Sequence, residues 1–382
     1  MINIMTPGPT KVRENVRIAR SELCTNPDLD DSFFTYYHSL CKDISNLFHT
    51  DNESFILAGE AMLGLEASVA SLCEKEDRVL VISNGIFGRG FNDLVELYGG
   101  NGVVYESDPY CGIDLDKLST FLKKDHNFKF ATLVHCDTPS GVLNSIETIC
   151  PLLHQYGILS VVDSVSAAFS VDIDIEKSMI DILITGSQKA LSVPPGLTIV
   201  TISPKAFQVM ENRKSKIASF YCNLLNFKDY NSNKAFPYTM PISDIKGLSV
   251  AIQNFKEDAT VFLRHQTIAK ATREAIVEYG LSLYLKDQYS PSVTVINVPD
   301  SIKCDDILNT MIRDHQIMIA GCFDVLKDKV IRIGHMGENA KIEDMILTLS
   351  ALDQTLNKLG FKGNGKLNEI FINNLNKEKT GS

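Results

Sequence analysis

Between about residues 53 and 203, short apolar runs rich in β-branched side chains alternate with segments of helical periodicity. This alternation is typical of a doubly wound, largely parallel β-sheet covered by helices, so the predicted fold class is α/β. In such sheets the carboxyl ends of the parallel strands meet at one edge, and ligands bind there. The predicted strands span residues 55–57, 79–83, 103–106, 131–135, 159–163, 181–185 and 197–202.

The pattern changes after Pro241, where a long helical stretch at about 243–278 is followed by strand-like runs at 293–298, 316–319 and 330–333. A closing helix carries apolar residues at three- and four-residue spacing and ends at Gly360. We therefore expect a large domain at 21–245 and a smaller α+β domain at 246–362. Prolines and a glycine at 6–10 predict an extended segment over 1–20, and the Lys- and Asn-rich residues 363–382 predict a flexible tail.

The formal net charge of −10 disfavours a nucleic-acid partner and an anionic membrane surface, because either would need a basic face. No apolar stretch approaches the roughly 18–20 residues of a membrane span, and the first ten residues lack the features of a signal peptide. Nine cysteines without CxxC spacing indicate reduced thiols rather than disulfides or a zinc site. We expect a cytoplasmic protein that acts on small molecules.

Two polar residues, Asp163 and Lys189, closely follow strand-like runs that are expected to be neighbours in the sheet. A lysine that forms a Schiff base and a carboxylate that keeps a pyridinium nitrogen protonated are the groups that a pyridoxal 5′-phosphate (PLP) enzyme requires. Both residues also have ordinary explanations. An aspartate after a strand is commonly a helix cap or a turn residue, and a lysine there is usually solvated.

Three motifs favour the cofactor interpretation: TPGPT at 6–10, VDSVSA at 162–167 and GSQKALSVPPG at 186–196. Together they resemble class V (fold type I) PLP-dependent aminotransferases, especially the alanine–glyoxylate and serine–glyoxylate (serine–pyruvate) group. The resemblance runs from about residue 3 to residue 358, with the motifs in the same order and at similar spacing. It implies a large domain with a mostly parallel seven-stranded sheet, PLP as cofactor, and transamination.

The resemblance also implies roles for single residues. Lys189 matches the Schiff-base lysine, Asp163 the partner of the pyridine nitrogen, and Gln188 a residue that lines the cofactor. Phe87 stands where the family stacks an aromatic ring on the pyridine, and Thr138 where a hydroxyl bonds the cofactor. Without the resemblance, Gln188 is an exposed loop amide, Phe87 a core side chain and Thr138 a turn residue.

For the phosphate group, residues 58–64 lie between a strand-like run and a helix, so that backbone N–H groups can hold an anion. Family members often carry Ser or Thr where this chain has Glu60, and a carboxylate beside a phosphate is unfavourable unless it points away or is paired. We therefore assign the phosphate to the amides of Ala61 and Met62, with the Ser187 hydroxyl as a further donor.

The segment 236–241 resembles the family segment that reaches across a dimer interface to the phosphate. Thr239 matches its threonine, whereas Phe236 replaces a tyrosine whose hydroxyl is missing unless Tyr238 supplies it. A homodimer with shared active sites is implied. An ordinary proline-bounded loop is the alternative.

The single charge in the apolar run 330–333 is Arg332, which matches the arginine that grips the substrate carboxylate with a bidentate fork. A buried ion pair is the alternative. Gly8 is expected at the mouth of the substrate site.

The expected reaction exchanges an amino group between a small amino acid, of the alanine or serine type, and glyoxylate or pyruvate. Ureidoglycine and 2-aminoethylphosphonate are alternative donors. A cysteine desulfurase using Cys322 and a non-catalytic protein on the same fold are the remaining alternatives. The histidines lack the spacing of a metal site, so no metal is expected.

Overall fold

The computed structural model describes residues 2–380, with the side chains of 378–380 left out. Within this range, no helix has the length and apolar character needed to cross a membrane. The strands are β1 Asn3–Ile4, β2 Glu53–Ala58, β3 Arg78–Ser83, β4 Asn101–Glu106, β5 Phe130–Val134, β6 Cys136–Asp137, β7 Val142–Leu143, β8 Leu159–Asp163, β9 Ile182–Gly186, β10 Leu197–Ile202, β11 Val293–Asn297, β12 Ile317–Met318 and β13 Val330–Gly334. The helices are α1 Glu14–Ala19, α2 Asp31–Leu47, α3 Met62–Leu72, α4 Ile86–Leu97, α5 Leu115–Lys124, α6 Ile146–Gln155, α7 Ile175–Ser178, α8 Pro204–Glu211, α9 Leu225–Lys228, α10 Tyr230–Asn233, α11 Ile242–Glu257, α12 Val261–Tyr279, α13 Cys304–His315, α14 Ile342–Lys358 and α15 Leu367–Thr380.

A seven-stranded sheet forms the centre of the fold, in the order β2-β10-β9-β8-β5-β3-β4. Strand β10 runs antiparallel to both of its neighbours, and the remaining pairs are parallel. Every residue of β5, β8 and β9 is buried, as expected for parallel strands that are covered on both faces. The predicted α/β class and the mostly parallel sheet are confirmed. The carboxyl ends of β2, β3, β5, β8 and β9 share one edge.

Two large hydrophobic cores are present. The first packs the sheet against its helices and extends to Leu248 and Ile252 of α11, so α11 belongs with this core although the predicted domain boundary falls inside the helix. The second surrounds the antiparallel pair β11–β13 and the helices α12 to α15, and it also takes in Met5. Strand β1 pairs with β12, so the start of the chain lies against its last third.

Three predictions need correction. Within the segment predicted to be extended, Glu14–Ala19 is a helix, because Val16 is buried in the first core. The stretch predicted as one helix at about 243–278 is two helices, since Asp258 accepts hydrogen bonds from the backbone N–H and the hydroxyl of Thr260 and so turns the chain.

The third correction concerns the tail. Residues 367–380 form helix α15 instead of a flexible segment, and Leu367, Phe371 and Leu375 are buried against α12 and α14. One apolar side chain per turn holds this helix on the core, and the buried side chain of Asn374 donates a hydrogen bond to Glu278 of α12 at 3.1 Å. Gly381 and Ser382 lie outside the described residues.

Candidate active site

A cavity of about 310 Å³ lies at the carboxyl edge of the sheet. Its walls come from the residues that follow the ends of five parallel strands and from the N-terminal segment. Eight of the eleven predicted site residues line it: Gly8, Ala61, Met62, Phe87, Thr138, Asp163, Gln188 and Lys189. A larger groove, of about 520 Å³, lies beside the start of β2 and contains none of the predicted residues.

Asp163 and Lys189 enter this cavity from adjacent strands, β8 and β9. Asp163 is the last residue of β8, is 5% exposed, and accepts a hydrogen bond of 2.9 Å from the Val165 N–H. Burial raises the pKa of Asp163 to about 7, against the lowering effect of that bond and of the Lys189 charge. Burial also lowers the pKa of Lys189 to about 8. An amine with such a pKa is partly uncharged near neutral pH, as a nucleophile or base must be.

The N-terminal TPGPT segment forms the wall behind the lysine. The Nζ atom of Lys189 donates to the carbonyl of Pro7 at 2.5 Å, and the Thr10 hydroxyl donates to the Lys189 carbonyl at 2.9 Å. A Cβ atom on Gly8 would lie 2.4 Å from the lysine side chain, and Gly8 has a φ of +105°. Glycine is therefore required at this position for space and for backbone conformation.

Phe87 is held at the cavity by a buried carboxylate that the sequence analysis missed. The Phe87 N–H donates to Asp137 Oδ1 at 2.9 Å, and the Ser140 hydroxyl donates to Asp137 Oδ2 at 2.8 Å. Asp137 is 1% exposed, and burial raises its pKa. A Cβ atom on Gly85 would lie 2.3 Å from the Asp137 carboxyl carbon. The available signal was an acidic residue directly before Thr138 in a run of small and apolar residues.

Thr138 and Arg332 are adjacent in the structure. The Thr138 hydroxyl bonds the Ser166 hydroxyl, and the Thr138 carbonyl accepts a 3.4 Å hydrogen bond from Arg332 Nη1. Arg332 Nε donates to the Gly321 carbonyl at 2.7 Å. Arg332 is 9% exposed and does not line the cavity itself. Among the described residues its donors reach carbonyl oxygens and no carboxylate, so the alternative of a buried ion pair does not apply.

Cys322, the nucleophile of the desulfurase alternative, lies outside the residues that line the cavity. Burial raises the pKa of its thiol, although the charge of Arg332 acts in the opposite direction. A catalytic cysteine needs a lowered pKa. This environment therefore does not favour a cysteine nucleophile.

The end of the cavity assigned to the phosphate holds the carboxylate of Glu60. Glu60 Oε1 accepts a hydrogen bond from the Met62 N–H at 3.1 Å, so this predicted phosphate donor already has a partner. Glu60 Oε2 accepts from Gln188 Nε2 at 3.2 Å, and Gln188 Oε1 is buried without a hydrogen-bond partner in the described part of the chain. Ser187 does not reach the cavity, because it is fully buried and its hydroxyl donates to the Pro194 carbonyl at 2.8 Å.

These contacts test how well the site fits PLP. Asp163, Phe87, Thr138 and Lys189 fit the pyridine ring and the aldehyde. Glu60 does not fit the phosphate, which carries a charge of about −1.5 to −2 near neutral pH. The charge of Glu60 opposes that of the phosphate, although solvent reduces the repulsion because Glu60 is exposed. The residues at one end of the cavity therefore fit the ring of PLP, whereas Glu60 at the other end does not fit its phosphate.

The segment 236–241 lies outside this cavity in its own chain. Thr239 donates a hydrogen bond of 2.9 Å to Asp28. The Phe236 ring stacks on Phe34, with ring centroids 4.6 Å apart, and the Tyr238 hydroxyl accepts from the Ala58 N–H at 3.4 Å. A single chain therefore does not bring Thr239 to the site.

Comparison with known proteins identifies the family. The family model described as aminotransferase class-V matches residues 28–326. An uncharacterized aminotransferase of Methanocaldococcus jannaschii is 30% identical over 367 residues, which cover 94% of each chain. The alanine–glyoxylate aminotransferase of Oryctolagus cuniculus is 29% identical over 362 residues, with 92% of each chain covered.

Among solved structures, pyridoxamine–pyruvate aminotransferase from Mesorhizobium loti superposes with a TM-score of 0.94 at 28% identity, covering 99% of this chain and 97% of that one. The sequence, the fold and the lysine–aspartate pair agree, and family membership implies PLP as the cofactor. The chain belongs to the class V aminotransferases and is an enzyme of that PLP-dependent, fold type I class.

Proposed function

We propose that the enzyme transfers an amino group between a small amino acid, of the alanine or serine type, and a small 2-oxo acid such as glyoxylate or pyruvate. The observation that carries the proposal is the pair formed by Lys189 and Asp163, which enter one cavity from adjacent strand ends. The rabbit relative is an alanine–glyoxylate aminotransferase and the M. loti protein a pyridoxamine–pyruvate aminotransferase, and both activities support a small 2-oxo acid as acceptor.

In the proposed mechanism, Lys189 carries the proton transfers. A bound pyridoxal ring supplies an aldehyde for amine exchange and a ring that accepts electrons from the substrate. The Nζ atom of Lys189 would take the proton from the substrate Cα and hold it for return. Asp163 would accept a hydrogen bond from the ring N–H, and its buried position would strengthen this interaction by excluding water. Phe87, which lines the cavity, would pack on the ring face.

We assign the substrate carboxylate to Arg332. The guanidinium is largely buried, and its Nε and Nη1 contacts are neutral carbonyl groups. Burial lowers the pKa of Arg332, which means that the charged form lacks full compensation in the unliganded site. A carboxylate bound beside Thr138 supplies that compensation through a charge-assisted hydrogen bond.

We further propose a homodimer in which Thr239 completes the site of the partner chain. Thr239 lies beside Asp28, and the nearby Leu23 and Leu29 are 95% and 81% exposed in the single chain. Apolar side chains with this exposure are common at subunit interfaces. We also propose a cytoplasmic location, because all nine cysteines are free thiols, as is usual in reducing compartments.

The test is a screen of half-reactions with alanine, serine, ureidoglycine and 2-aminoethylphosphonate as donors, read from the absorbance of the pyridoxal ring. Borohydride reduction followed by peptide mapping should place the label on Lys189. Lys189→Ala should lose transfer, whereas Lys124→Ala, at an exposed position of α5, should retain it. Turnover by Lys189→Ala at the wild-type rate would contradict the proposal.

A further inference from the structure

We propose that this cavity binds the pyridoxal ring without its 5′-phosphate, so that free pyridoxamine enters as the amino donor and free pyridoxal leaves as a product. The proposal rests on the transamination proposed above and names a substrate class for the same site. The observations that support it are the position of Glu60 and the hydrogen bonds that its carboxylate accepts from Met62 and Gln188.

Glu60 is held in the cavity by the surrounding structure. Its carboxylate accepts one hydrogen bond from the Met62 N–H and another from the side-chain amide of Gln188. Its backbone is fixed as well, since the Thr198 hydroxyl donates to the carbonyls of Gly59 and Glu60 at 3.0 and 2.7 Å. Glu60 is itself exposed, so these bonds place its carboxylate at the rim of the cavity, on the side of the predicted phosphate site.

Three backbone N–H groups at the start of α3 are already engaged, which leaves the Ala61 N–H as the one donor of the assigned pair that is open to a phosphate in the described part of the chain. At the start of α3, the Met62 N–H is bonded to the Glu60 side chain, the Leu63 N–H to the Glu60 carbonyl at 2.9 Å, and the Gly64 N–H to the Ala61 carbonyl at 3.0 Å. The helix N-terminus thus already holds an anion, which is supplied by the chain itself. The Ser187 hydroxyl is bonded elsewhere.

The charges that line the cavity also disfavour a bound phosphate. Among its described lining residues, Lys189 is the one cation, whereas Glu60 and Asp163 are acidic. Since Lys189 is committed to the aldehyde, no lining cation remains for a dianion. A 5′-hydroxymethyl group, by contrast, has an O–H that can donate to Glu60. The wall selects a neutral donor and repels a phosphate.

A ring without phosphate lacks the phosphate anchor, and its one covalent attachment is the bond to Lys189. After amino transfer the bond to Lys189 is open, so the ring is free to exchange with solution. The reaction is then pyridoxamine plus a 2-oxo acid giving pyridoxal plus an amino acid. C4′ is oxidised from amine to aldehyde, and the 2-oxo carbon is reduced to the amine-bearing carbon, so that no external oxidant is needed.

The test compares the affinities of pyridoxal and PLP by equilibrium dialysis, with wild-type protein and with Lys189→Ala, in which no covalent bond forms. Both proteins should bind pyridoxal more tightly than PLP, by on the order of tenfold or more. Glu60→Ser should reverse this ratio, and Glu60→Gln should reduce it. Asp163→Asn is the matched control, because it should weaken both ligands alike.

Tighter binding of PLP than of pyridoxal by wild type, or an unchanged ratio in Glu60→Ser, would overturn the inference. The proposed function is checked separately in two assays. Wild-type protein is mixed with pyridoxamine and pyruvate, and the formation of alanine is followed. Protein loaded with PLP is mixed with alanine and glyoxylate, and the formation of pyruvate is followed. If neither system transfers an amino group while the affinity ratio stays as expected, transamination fails and the ligand preference stands.

Discussion

At the residue scale, burial moves the two central ionisable groups toward each other in pKa. The pKa of the Asp163 carboxyl rises to about 7 and the pKa of the Lys189 amine falls to about 8. Both shifts arise mainly because the charged forms lose hydration on burial. The enclosure that makes Lys189 reactive therefore also makes Asp163 costly to ionise. A bound pyridine N–H offsets that cost, so ligand binding and ionisation of Asp163 are coupled.

The first prediction concerns capture of pyridoxal by the unliganded enzyme. Only the neutral amine attacks an aldehyde, so the rate should rise about tenfold per pH unit below the Lys189 pKa of about 8 and level off above it. Stopped-flow absorbance from pH 6 to 10 measures this rate. The Asp163 charge raises the lysine pKa, so Asp163→Asn should move the inflection to lower pH. An inflection near the ordinary value of 10.5 would contradict the prediction.

The second prediction concerns stability. The folded-state pKa of Asp163 is raised from 3.8 to about 7, so the folded unliganded enzyme binds this proton more tightly than the unfolded chain does. Stability is therefore lost as pH rises from about 4 to 7, by at most about 4 kcal/mol. Asp163→Asn removes this loss and keeps an acceptor for the Val165 N–H.

Unliganded Asp163→Asn should consequently melt a few degrees above wild type at pH 8, with the difference vanishing near pH 4. Scanning calorimetry of the two proteins measures it. A lower melting temperature of the variant at pH 8 would show that Asp163 stabilises the empty site.

At the scale of elements, the site depends on how the loop after β3 is fixed to the β6–β7 hairpin and to the residue that follows it. The side chains of Asn84 and Asn144 bond each other at 2.9 and 3.0 Å, and Asp137 binds the first turn of α4 through the Phe87 N–H. Gly85 provides the space for that carboxylate. The orientation of the Phe87 ring is therefore set by a buried network on a neighbouring strand end.

The third prediction follows from this network. Asp137→Asn has one acceptor oxygen for donors that now bind two, so it should lose about 1–3 kcal/mol of stability and loosen α4. The variant's affinity for the pyridoxal ring should fall more than its affinity for the 2-oxo acid. Titration with pyridoxal measures the first affinity, and titration with pyruvate measures the second. In a Phe87→Leu background the effect on ring affinity should disappear, whereas additive losses would show that Asp137 acts independently. Asp116→Asn, on the exposed side of α5, is the matched control.

At the scale of the whole molecule, the sheet could be predicted because its strands are continuous apolar runs, and the ends of β8 and β9 carry Asp163 and the lysine loop. Other features depend on contacts between distant segments. Ser187 follows β9 directly, but its hydroxyl turns toward Pro194. The burial of α15 needs only three apolar side chains, which its polar composition conceals. The pairing of β1 with β12 joins residues more than 300 positions apart.

The last prediction is that the active unit is a two-fold dimer with shared sites, because Thr239 lies outside the cavity of its own chain. Thr239→Ala should weaken ring binding, whereas Thr120→Ala, an exposed threonine of α5, should not. In a heterodimer of a Lys189→Ala chain with a Thr239→Ala chain, one site then combines both defects and the other has neither. Titration should find about half of the sites with wild-type affinity. If Thr239 served its own chain, no wild-type site would remain, and a fully active monomer in sedimentation would exclude sharing altogether.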